Sequence, residues 1–286
     1  MSPNPAHPAT LFTPLDGGKV RCTACARYCS LPPGSHGFCF VRKNEGGRLV
    51  LLTYGLASAV QVDPVEKKPL SHYRPGTRVL SIGTVGCNWR CLYCQNAEIS
   101  QEREILGRSL PPAGAVARAR KTGCAGITFT YNEPTIFAEY ALDVIAEGHR
   151  AGLFANFVTN GYMTPEAVAL LGPHLDAVSI DFKGSGEAGF LRRYVSAKGP
   201  EPILESAVGL RAGVRAVDVE LVCSDTDEHR RRVEARSADI AGHVLPTWSQ
   251  VVGRDYRPWD GDRLVIDTAQ SSVEESVRAI LAILRG

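Results

Sequence analysis

The chain has 286 residues, of which 44% are hydrophobic, and its formal net charge is +2. That length allows a large core, in one barrel-sized domain or in two smaller ones. Because no apolar run approaches the ~20 residues of a membrane-spanning helix, and because residues 1–8 lack the charged and apolar regions of a signal peptide, we expect a cytoplasmic protein without a membrane partner.

Positive and negative charges are interspersed along the chain. Its basic run, Arg230-Arg231-Arg232, is flanked by Glu228 and Glu234. Such a run is more typical of a solvated helix face than of a nucleic-acid patch. We therefore expect no nucleic-acid partner.

The N-terminal region carries four cysteines. Residues 1–20 are rich in proline and small residues and are predicted to be a flexible lead-in. Residues 21–77 are predicted to form a metal-binding extension with strands at 48–54 and 57–62. Its cysteines follow the pattern C-x2-C-x3-C-x9-C and are Cys22, Cys25, Cys29 and Cys39. Four thiolates can close a tetrahedral zinc site or cap an iron–sulfur cluster, and the sequence leaves this choice open.

From residue 78 onward, predicted strands alternate with predicted helices. The strands are 79–82, 127–130, 154–158, 177–182 and 217–222, with a short sixth strand at 264–266. The helices are 113–121, 134–151, 165–171, 202–212 and 273–284. This alternation is typical of an α/β fold in which a parallel sheet is curled or wound under helices.

Three further cysteines lie directly after the first of these strands, in a C-x3-C-x2-C pattern: Cys87, Cys91 and Cys94. Three thiolates on one loop can hold three corners of a cubic iron–sulfur cluster and leave the fourth iron free to bind another molecule. A disulfide or a zinc site is the alternative. However, paired zinc-ribbon cysteines recur within about 15–20 residues, and this triplet has no such second pair.

Polar residues follow the next three strands. Glu133 comes after the second strand, Thr159 after the third, and Asp181 and Lys183 after the fourth. Because the carboxyl ends of parallel strands meet at one edge of a sheet, these side chains are expected to face one pocket together with the cysteine loop.

The cysteine loop, with the aromatic Tyr93 before its last cysteine, resembles the signature of radical S-adenosylmethionine (SAM) enzymes. The resemblance implies a [4Fe–4S] cluster held by Cys87, Cys91 and Cys94, with SAM chelated at the open iron. It implies an oxidoreductase-type enzyme that cleaves SAM to a 5′-deoxyadenosyl radical for hydrogen abstraction. It further implies a partial (β/α)6 barrel over residues 78–286 and an electron donor of the flavodoxin or ferredoxin type.

A narrower resemblance rests on segments around this loop. They are Asp-Pro-Val-Glu-Lys-Lys-Pro-Leu at 63–70, Ser-Ile-Gly-Thr at 81–84, Cys-Gln-Asn-Ala-Glu-Ile-Ser-Gln at 94–101 and Thr-Tyr-Asn-Glu-Pro-Thr-Ile-Phe at 130–137. Together they resemble the radical enzyme of the AmmeMemoRadiSam system, a family akin to the activating enzymes of pyruvate formate-lyase. That family implies Memo-like and AMMECR-type proteins as partners.

The resemblance also implies roles for the polar residues. Glu133 would accept a hydrogen bond from the ammonium of SAM, and Thr159, Asp181 and Lys183 would approach its ribose and carboxylate, with Tyr93 beside them. Two simpler interpretations stay open. Glu133 could only favour the start of the helix that follows it, and Asp181 and Lys183 could form a surface ion pair.

After about residue 184 the chain departs from the family. Relatives carry a Pro-Gly-x-Asn-Asp loop after their fifth strand, where this chain has Cys-Ser-Asp-Thr-Asp at 223–227. Relatives also carry a histidine on a later strand, and His229 and His243 are more typical of surface histidines than of replacements for it. Cys124 and Cys223 are more typical of thiols that pack in the core than of chemically active ones. Two alternatives therefore stand beside a radical SAM enzyme of unknown substrate: a glycyl-radical activase, and a catalytically degenerate metal-binding assembly partner.

Overall fold

The computed structural model describes residues 6–184, 186–211, 219–236, 247–253 and 263–285. The chain divides into two compact units, Met1–Gly213 and Val214–Gly286. The described strands of the first unit are β1 (His7–Pro8), β2 (Phe12–Pro14), β3 (Val20–Cys22), β4 (Ser30–Leu31), β5 (Arg42–Glu45), β6 (Arg48–Leu51), β7 (Leu56–Ala57), β8 (Ala59–Pro64), β9 (Arg78–Gly83), β10 (Arg108–Ser109), β11 (Gly126–Phe129), β12 (Phe154–Thr159) and β13 (Ala177–Ile180). Its described helices are α1 (Ala97–Ser100), α2 (Pro112–Lys121), α3 (Ala138–Arg150), α4 (Pro165–Leu171), α5 (Ala188–Phe190) and α6 (Glu201–Arg211).

A five-stranded sheet in the order β13-β12-β11-β9-β8 organises the first unit. The strands β9, β11, β12 and β13 run parallel, with Gly126 aligned to both Val79 and Phe154. Along one edge, β8 pairs antiparallel with β9. The four parallel strands therefore end side by side, and the loops after them meet at the same edge of the sheet.

The helix α3 packs against this sheet through an apolar stripe. Ala138, Tyr140, Ala141, Val144 and Ile145 are buried, and they recur at the three- and four-residue spacing of one helix face. The sequence predicted a single helix over 134–151. The structure instead begins it with a 3-10 turn at Pro134–Phe137, and the α-helix starts at Ala138 because Phe137 has non-helical dihedral angles.

The N-terminal segment shares the core of the sheet. Its strands form two small antiparallel sheets, β1-β6-β5 and β2-β3-β4, and β7 pairs with β10. Ala9, Leu11 and Val20 are buried in the same cluster as Leu80 and Phe129. Residues 6–20 thus differ from the predicted flexible lead-in, because their few apolar side chains are anchored in the core and their backbone pairs with β6 and β3.

The described part of the second unit consists of β14 (Val219–Val222), α7 (Thr226–Glu234), α8 (Trp248–Val252), β15 (Leu264–Asp267) and α9 (Val273–Arg285). The strands β14 and β15 pair in parallel. The three arginines of the basic run lie exposed on α7, each bonded to Glu228 or Glu234. His229 stacks edge-on against Trp248, with ring centroids 5.2 Å apart.

The α/β class predicted from the sequence is confirmed, and the six predicted strands are present with small differences at their ends. Residues 217–218 of the fifth predicted strand, residue 212 of a predicted helix and His243 lie outside the described residues. In the described part of the chain the six strands form a sheet of four and a separate pair, with no closed barrel. The partial (β/α)6 barrel therefore stays a prediction. None of the described helices is both long enough and apolar enough to cross a membrane.

Candidate active site

A cavity of about 490 Å³ lies where the parallel strands end. Each of these strands contributes residues to it from the loop that follows. The lining includes the eight cofactor-site residues that the sequence predicted: Cys87, Cys91, Tyr93, Cys94, Glu133, Thr159, Asp181 and Lys183. It has the size of a small-molecule site, for which about 300–1,000 Å³ is typical.

The loop that carries the three cysteines is held from two sides. Asn132, in the loop after β11, donates from Nδ2 to the carbonyl oxygen of Gly86 at 2.8 Å, and its Oδ1 accepts from the Thr84 amide at 3.2 Å. Arg90 donates from Nη2 to the carbonyl oxygen of Phe38, in the N-terminal segment, at 2.8 Å. The sheet and the N-terminal segment therefore jointly set the position of the cysteines.

Two of the three thiols, those of Cys87 and Cys91, are poor ligands in the absence of positive charge. Burial raises the pKa of Cys87 to about 12 and that of Cys91 to about 11, and the neighbouring thiols add to both shifts. The backbone N–H of Trp89 points at Sγ of Cys87 from 3.4 Å, and Sγ of Cys94 lies 3.1 Å from Oγ of Ser100. A cationic metal centre would supply the charge that deprotonates such thiols.

No group of three or more His, Cys, Asp or Glu side chains in the described residues is arranged to hold one metal ion. A cubic cluster makes a different demand, because each of its cysteines binds a separate iron at a separate corner. The loop of Cys87, Cys91 and Cys94 thus offers the donor set of a three-cysteine cluster site in which the sulfurs do not converge on one point.

Glu133 is the most enclosed charged group of the cavity, with only 2% of its surface exposed. Its Oε1 accepts from the hydroxyls of Thr159 at 2.7 Å and Thr135 at 2.5 Å, and its Oε2 accepts from the Asn160 amide at 2.8 Å. Burial raises the pKa of Glu133, although these hydrogen bonds oppose the shift. It also accepts from the Thr135 amide at the start of the 3-10 turn, so its helix-start role is present beside its place in the cavity.

Asp181 and Lys183 lie at the outer part of the cavity. They form an ion pair with each other, in which the Asp181 side chain is 51% exposed. The surface ion pair that the sequence left open is therefore present, and both partners also line the cavity. Tyr93 is half-exposed, and its ring centroid lies 6.3 Å from that of Phe190.

The N-terminal cysteines form a separate group. Cys22, Cys25 and Cys39 are buried, and burial raises the pKa of each, to about 11 for Cys22. Each of these three thiols interacts electrostatically with others of the four, Cys29 included. The structure therefore brings the predicted group together but does not show a second metal site.

The sequence reasoning did not assign several residues that line the cavity, among them Lys67, Lys68, Trp89, Tyr131, Asn132 and Asn160. A signal for some of them was present, since Lys67 and Lys68 belong to the 63–70 segment and Tyr131 and Asn132 to the 130–137 segment. These segments indicate the family, but their pattern alone does not assign the lysines, Tyr131 or Asn132 to a site. Trp89 carried no comparable signal, because a buried tryptophan on a loop is not distinguishable from a core residue by sequence alone.

Gly86→Ala is expected to disrupt the cysteine loop. Gly86 has a φ of +82°, and a Cβ there would lie 2.3 Å from the carbonyl oxygen of Cys39 and 3.0 Å from Cγ1 of Val41. Because a backbone oxygen cannot move aside as a flexible side chain can, the loss of unfolding free energy should exceed the roughly 1–2 kcal/mol of a positive φ alone. Chemical denaturation measures this loss, and iron content after reconstitution should fall with it.

Gly123→Ala is the matched control for that variant. Gly123 also has a positive φ, of +67°, but a Cβ there meets nothing within 4 Å. It therefore reports the backbone cost without the clash. Equal destabilisation of the two variants would contradict the importance of the close approach between Gly86 and Cys39.

Comparisons with known proteins agree with this geometry. The family model of the Radical SAM superfamily matches residues 81–231, which is more than half of the chain. The uncharacterized protein MJ0808 of Methanocaldococcus jannaschii is similar, with 40% identity over 200 residues. The similar region covers 69% of this chain and 59% of the archaeal protein, so the chain spans less than two thirds of that relative's length.

Proposed function

Because the chain belongs to the Radical SAM superfamily, we propose that it is an enzyme that cleaves SAM at a [4Fe–4S] cluster held by Cys87, Cys91 and Cys94. Membership in the superfamily implies both the cluster and SAM. When bound, they supply an electron-driven cleavage that yields methionine and a 5′-deoxyadenosyl radical able to abstract hydrogen from a substrate. One observation carries this proposal: a single cavity is lined both by the three thiols and by the buried carboxylate of Glu133.

The residues present fit such a cofactor. Glu133 offers a carboxylate at the inner wall, where an ammonium group would find a charge-assisted hydrogen bond in place of lost water. Thr159 and Asn160 already donate to this carboxylate and fix its direction. Its oxygens are thus preorganised, and binding does not have to order a flexible side chain.

The outer residues suit the remaining polar groups of SAM. Asp181 can accept hydrogen bonds from ribose hydroxyls, and Lys183 can pair with a carboxylate. In the structure, Asp181 and Lys183 form an ion pair with each other. Since an exposed ion pair contributes only about 0–1 kcal/mol, exchanging it for contacts with the cofactor costs little. Tyr93, beside Cys94, supplies an aromatic wall next to them.

The direct test of this function is cofactor cleavage. Protein reconstituted with iron and sulfide without oxygen is reduced with dithionite and given SAM, and 5′-deoxyadenosine and methionine are quantified. Equal amounts of both products are expected. A cluster-loaded protein that forms neither product would refute the proposal and would favour the alternative of a degenerate assembly partner.

Glu133→Gln tests the assigned contact with the cofactor. The amide keeps the size of the side chain but lacks the charge, so the KM for SAM should rise roughly tenfold, as a charge-assisted hydrogen bond becomes a neutral one. Glu98→Gln is the control, because Glu98 is exposed and is not among the residues that line this cavity. An unchanged KM in Glu133→Gln would remove Glu133 from the binding site.

We also propose the narrower placement in the AmmeMemoRadiSam system. It is supported by the positions of two motif segments, since residues 67–69 and 130–133 line the cavity. The proposal brings with it an electron donor of the flavodoxin or ferredoxin type and Memo-like and AMMECR-type partners. Coexpression with such partners and recovery of a complex tests it, and a backbone glycyl radical detected on a partner by electron paramagnetic resonance would instead favour the activase alternative.

The four N-terminal cysteines are proposed to hold zinc or a second iron–sulfur cluster. The proximity of these cysteines supports this, since the backbone N–H of Cys22 donates to the carbonyl oxygen of Cys29 at 2.9 Å and each of Cys22, Cys25 and Cys39 lies close enough to Cys29 to be affected by its charge. Metal analysis of the Cys87→Ala protein, whose cysteine loop has lost a ligand, separates the two metals. If the Cys87→Ala protein retained neither zinc nor iron, that result would contradict a second metal site.

A further inference from the structure

The segment after β8 places two lysines on the wall of the cavity around one buried carboxylate. Asp63 is 5% exposed. Its Oδ1 accepts from Nζ of Lys67 at 2.8 Å, and its Oδ2 accepts from Nζ of Lys68 at 2.7 Å. The hydroxyls of Ser81 and Tyr131 also donate to Oδ2, each at 2.8 Å. Asp63 is therefore fully engaged and fixes both ammonium groups at the cavity.

This arrangement leaves one positive charge in excess. Burial alone would raise the pKa of Asp63, but the bonds from Lys67, Lys68, Ser81 and Tyr131 hold it well below its usual range, so the carboxylate is charged. Its single negative charge balances the positive charge of only one of the two lysines. The other acidic residues that line the cavity do not supply the missing anion from their own positions. Asp181 is paired with Lys183, and in the described part of the chain the bonds of Glu133 go to Thr135, Thr159 and Asn160 and not to either lysine.

The lysines also have hydrogen-bond donors to spare. An ammonium carries three N–H donors, and Asp63 is the one acceptor that the described residues give to Lys68, although only 3% of Lys68 is exposed. The Nζ of Lys68 lies 4.8 Å from the ring centroid of Tyr131, which adds a favourable contact but no acceptor. Lys67 has a side chain that is 63% exposed and thus accessible to a ligand. A bound oxyanion could accept hydrogen bonds from the remaining N–H donors of both lysine ammonium groups.

Backbone strain keeps this wall in place. Tyr131 has a φ of +73°, an unusual value for a bulky residue, and this conformation points its hydroxyl to Asp63. Gly83 lies next to Tyr131, and its lack of a side chain leaves space for this conformation. A Cβ at Gly83 would lie 2.8 Å from the carbonyl oxygen of Thr130 and 3.1 Å from Cβ of Tyr131. Strain of this kind persists where the surrounding structure enforces it, and it clusters at ligand sites.

We propose that Lys67 and Lys68, held by Asp63, form an oxyanion-binding subsite that takes a carboxylate or phosphate group of the substrate. The inference rests on the proposed function, because it names what the hydrogen-donating substrate carries. SAM brings one carboxylate of its own, and Lys183 lies after β13 to receive it. Lys67 and Lys68 follow β8, at the opposite edge of the five-stranded sheet.

The test uses the cluster-loaded protein without oxygen and without reductant, and each titration is run both without SAM and with SAM at saturation. Inorganic phosphate and acetate are the probes, titrated by isothermal calorimetry. The wild-type protein is expected to bind at least one of them, and Lys67→Met to weaken that binding about tenfold or more. Lys68→Met should do the same. Lys43→Met is the matched control, since Lys43 pairs with Glu45 and is not among the residues that line the cavity.

Three results would overturn the subsite. They are no binding of either probe by the wild-type protein, equal binding by Lys67→Met and Lys43→Met, and loss of probe binding when SAM is added. The last result would mean that the lysines receive the carboxylate of the cofactor. Formation of 5′-deoxyadenosine in a separate sample of the same preparation separates the two hypotheses: cleavage without anion binding refutes only the subsite, and anion binding without cleavage refutes only the proposed function.

Discussion

Cys91→Ala is expected to abolish formation of 5′-deoxyadenosine. Cys91 lies in the middle of the loop that Asn132 and Arg90 hold in place, and it lines the same cavity as Glu133. Loss of a residue that only supports a metal ligand typically costs 10–100-fold in metal affinity or activity, so loss of a ligand itself should cost more than about 100-fold. Product formation per protein and iron content per protein should both be measured.

The control for that variant is Cys223→Ala. Cys223 is part of the second unit, where its Sγ lies 3.4 Å from the carbonyl oxygen of Asp225. The Cys223→Ala variant also removes one thiol group from the chain, but it should leave product formation unchanged. If Cys91→Ala retained the wild-type rate, the cluster would have to be held by other residues, and the assignment of the loop would be wrong.

Glu139→Ala is expected to lower the free energy of unfolding by about 3–5 kcal/mol, because it leaves a buried guanidinium without its partner. Arg42, on β5, is 1% exposed and bonds to both carboxylate oxygens of Glu139 on α3, at 3.2 and 2.5 Å. Its Nε also donates to the carbonyl oxygen of Ile136 at 2.8 Å. Urea denaturation followed by circular dichroism measures the loss.

A matched control lies on the same strand. Glu45 pairs with Lys43 at 3.0 Å, but its side chain is 43% exposed, and exposed pairs contribute about 0–1 kcal/mol. Glu45→Ala should therefore change the unfolding free energy little. Equal effects of the two variants would show that burial does not distinguish the pairs and that Arg42 finds another partner.

The pH dependence of this pair has a defined sign. Burial alone would raise the pKa of Glu139, but Arg42 and the Thr10 amide lower it below its usual value. A carboxylate with a lowered pKa stabilises the fold above its unfolded pKa, and this contribution is lost as the pH falls through the folded pKa. The difference in stability between wild type and Glu139→Ala should accordingly shrink in acid.

Most of the longer strands and helices after residue 78 could be predicted because local sequence specifies them, whereas the short elements α1, β10, α5 and α8 were not predicted. The apolar stripe of α3 and the short apolar strands repeat with the periods of helix and strand. In the N-terminal segment the predicted strands at 48–54 and 57–62 correspond to β6 and to β7 with β8, but the pairing and burial of the segment could not be predicted in this way. The pairing of β8 with β9 and the burial of Leu11 depend on partners far along the chain, and a start rich in proline gives no periodic signal.

The site shows the same division. Glu133, Thr159 and Asp181 could be placed together because each follows a parallel strand, and parallel strands end at one edge. Lys67 and Lys68 follow an antiparallel strand whose last residue, Pro64, pairs with Arg78 at the start of β9. Their backbone therefore leaves from the other end of the sheet. Lys67, Lys68 and Pro69 line the cavity all the same, which no strand-end rule anticipates.

The buried pair of Arg42 and Glu139 also constrains how the chain acquires its fold on the ribosome. Its two residues are 97 positions apart. At a synthesis rate of about 5–20 residues per second, the arginine precedes its partner by roughly 5–20 s. During this interval Arg42 has been synthesised, but the helix α3, which carries its partner Glu139, has not. The guanidinium must stay hydrated until α3 emerges, so the N-terminal segment cannot complete its packing before the middle of the sheet has been made.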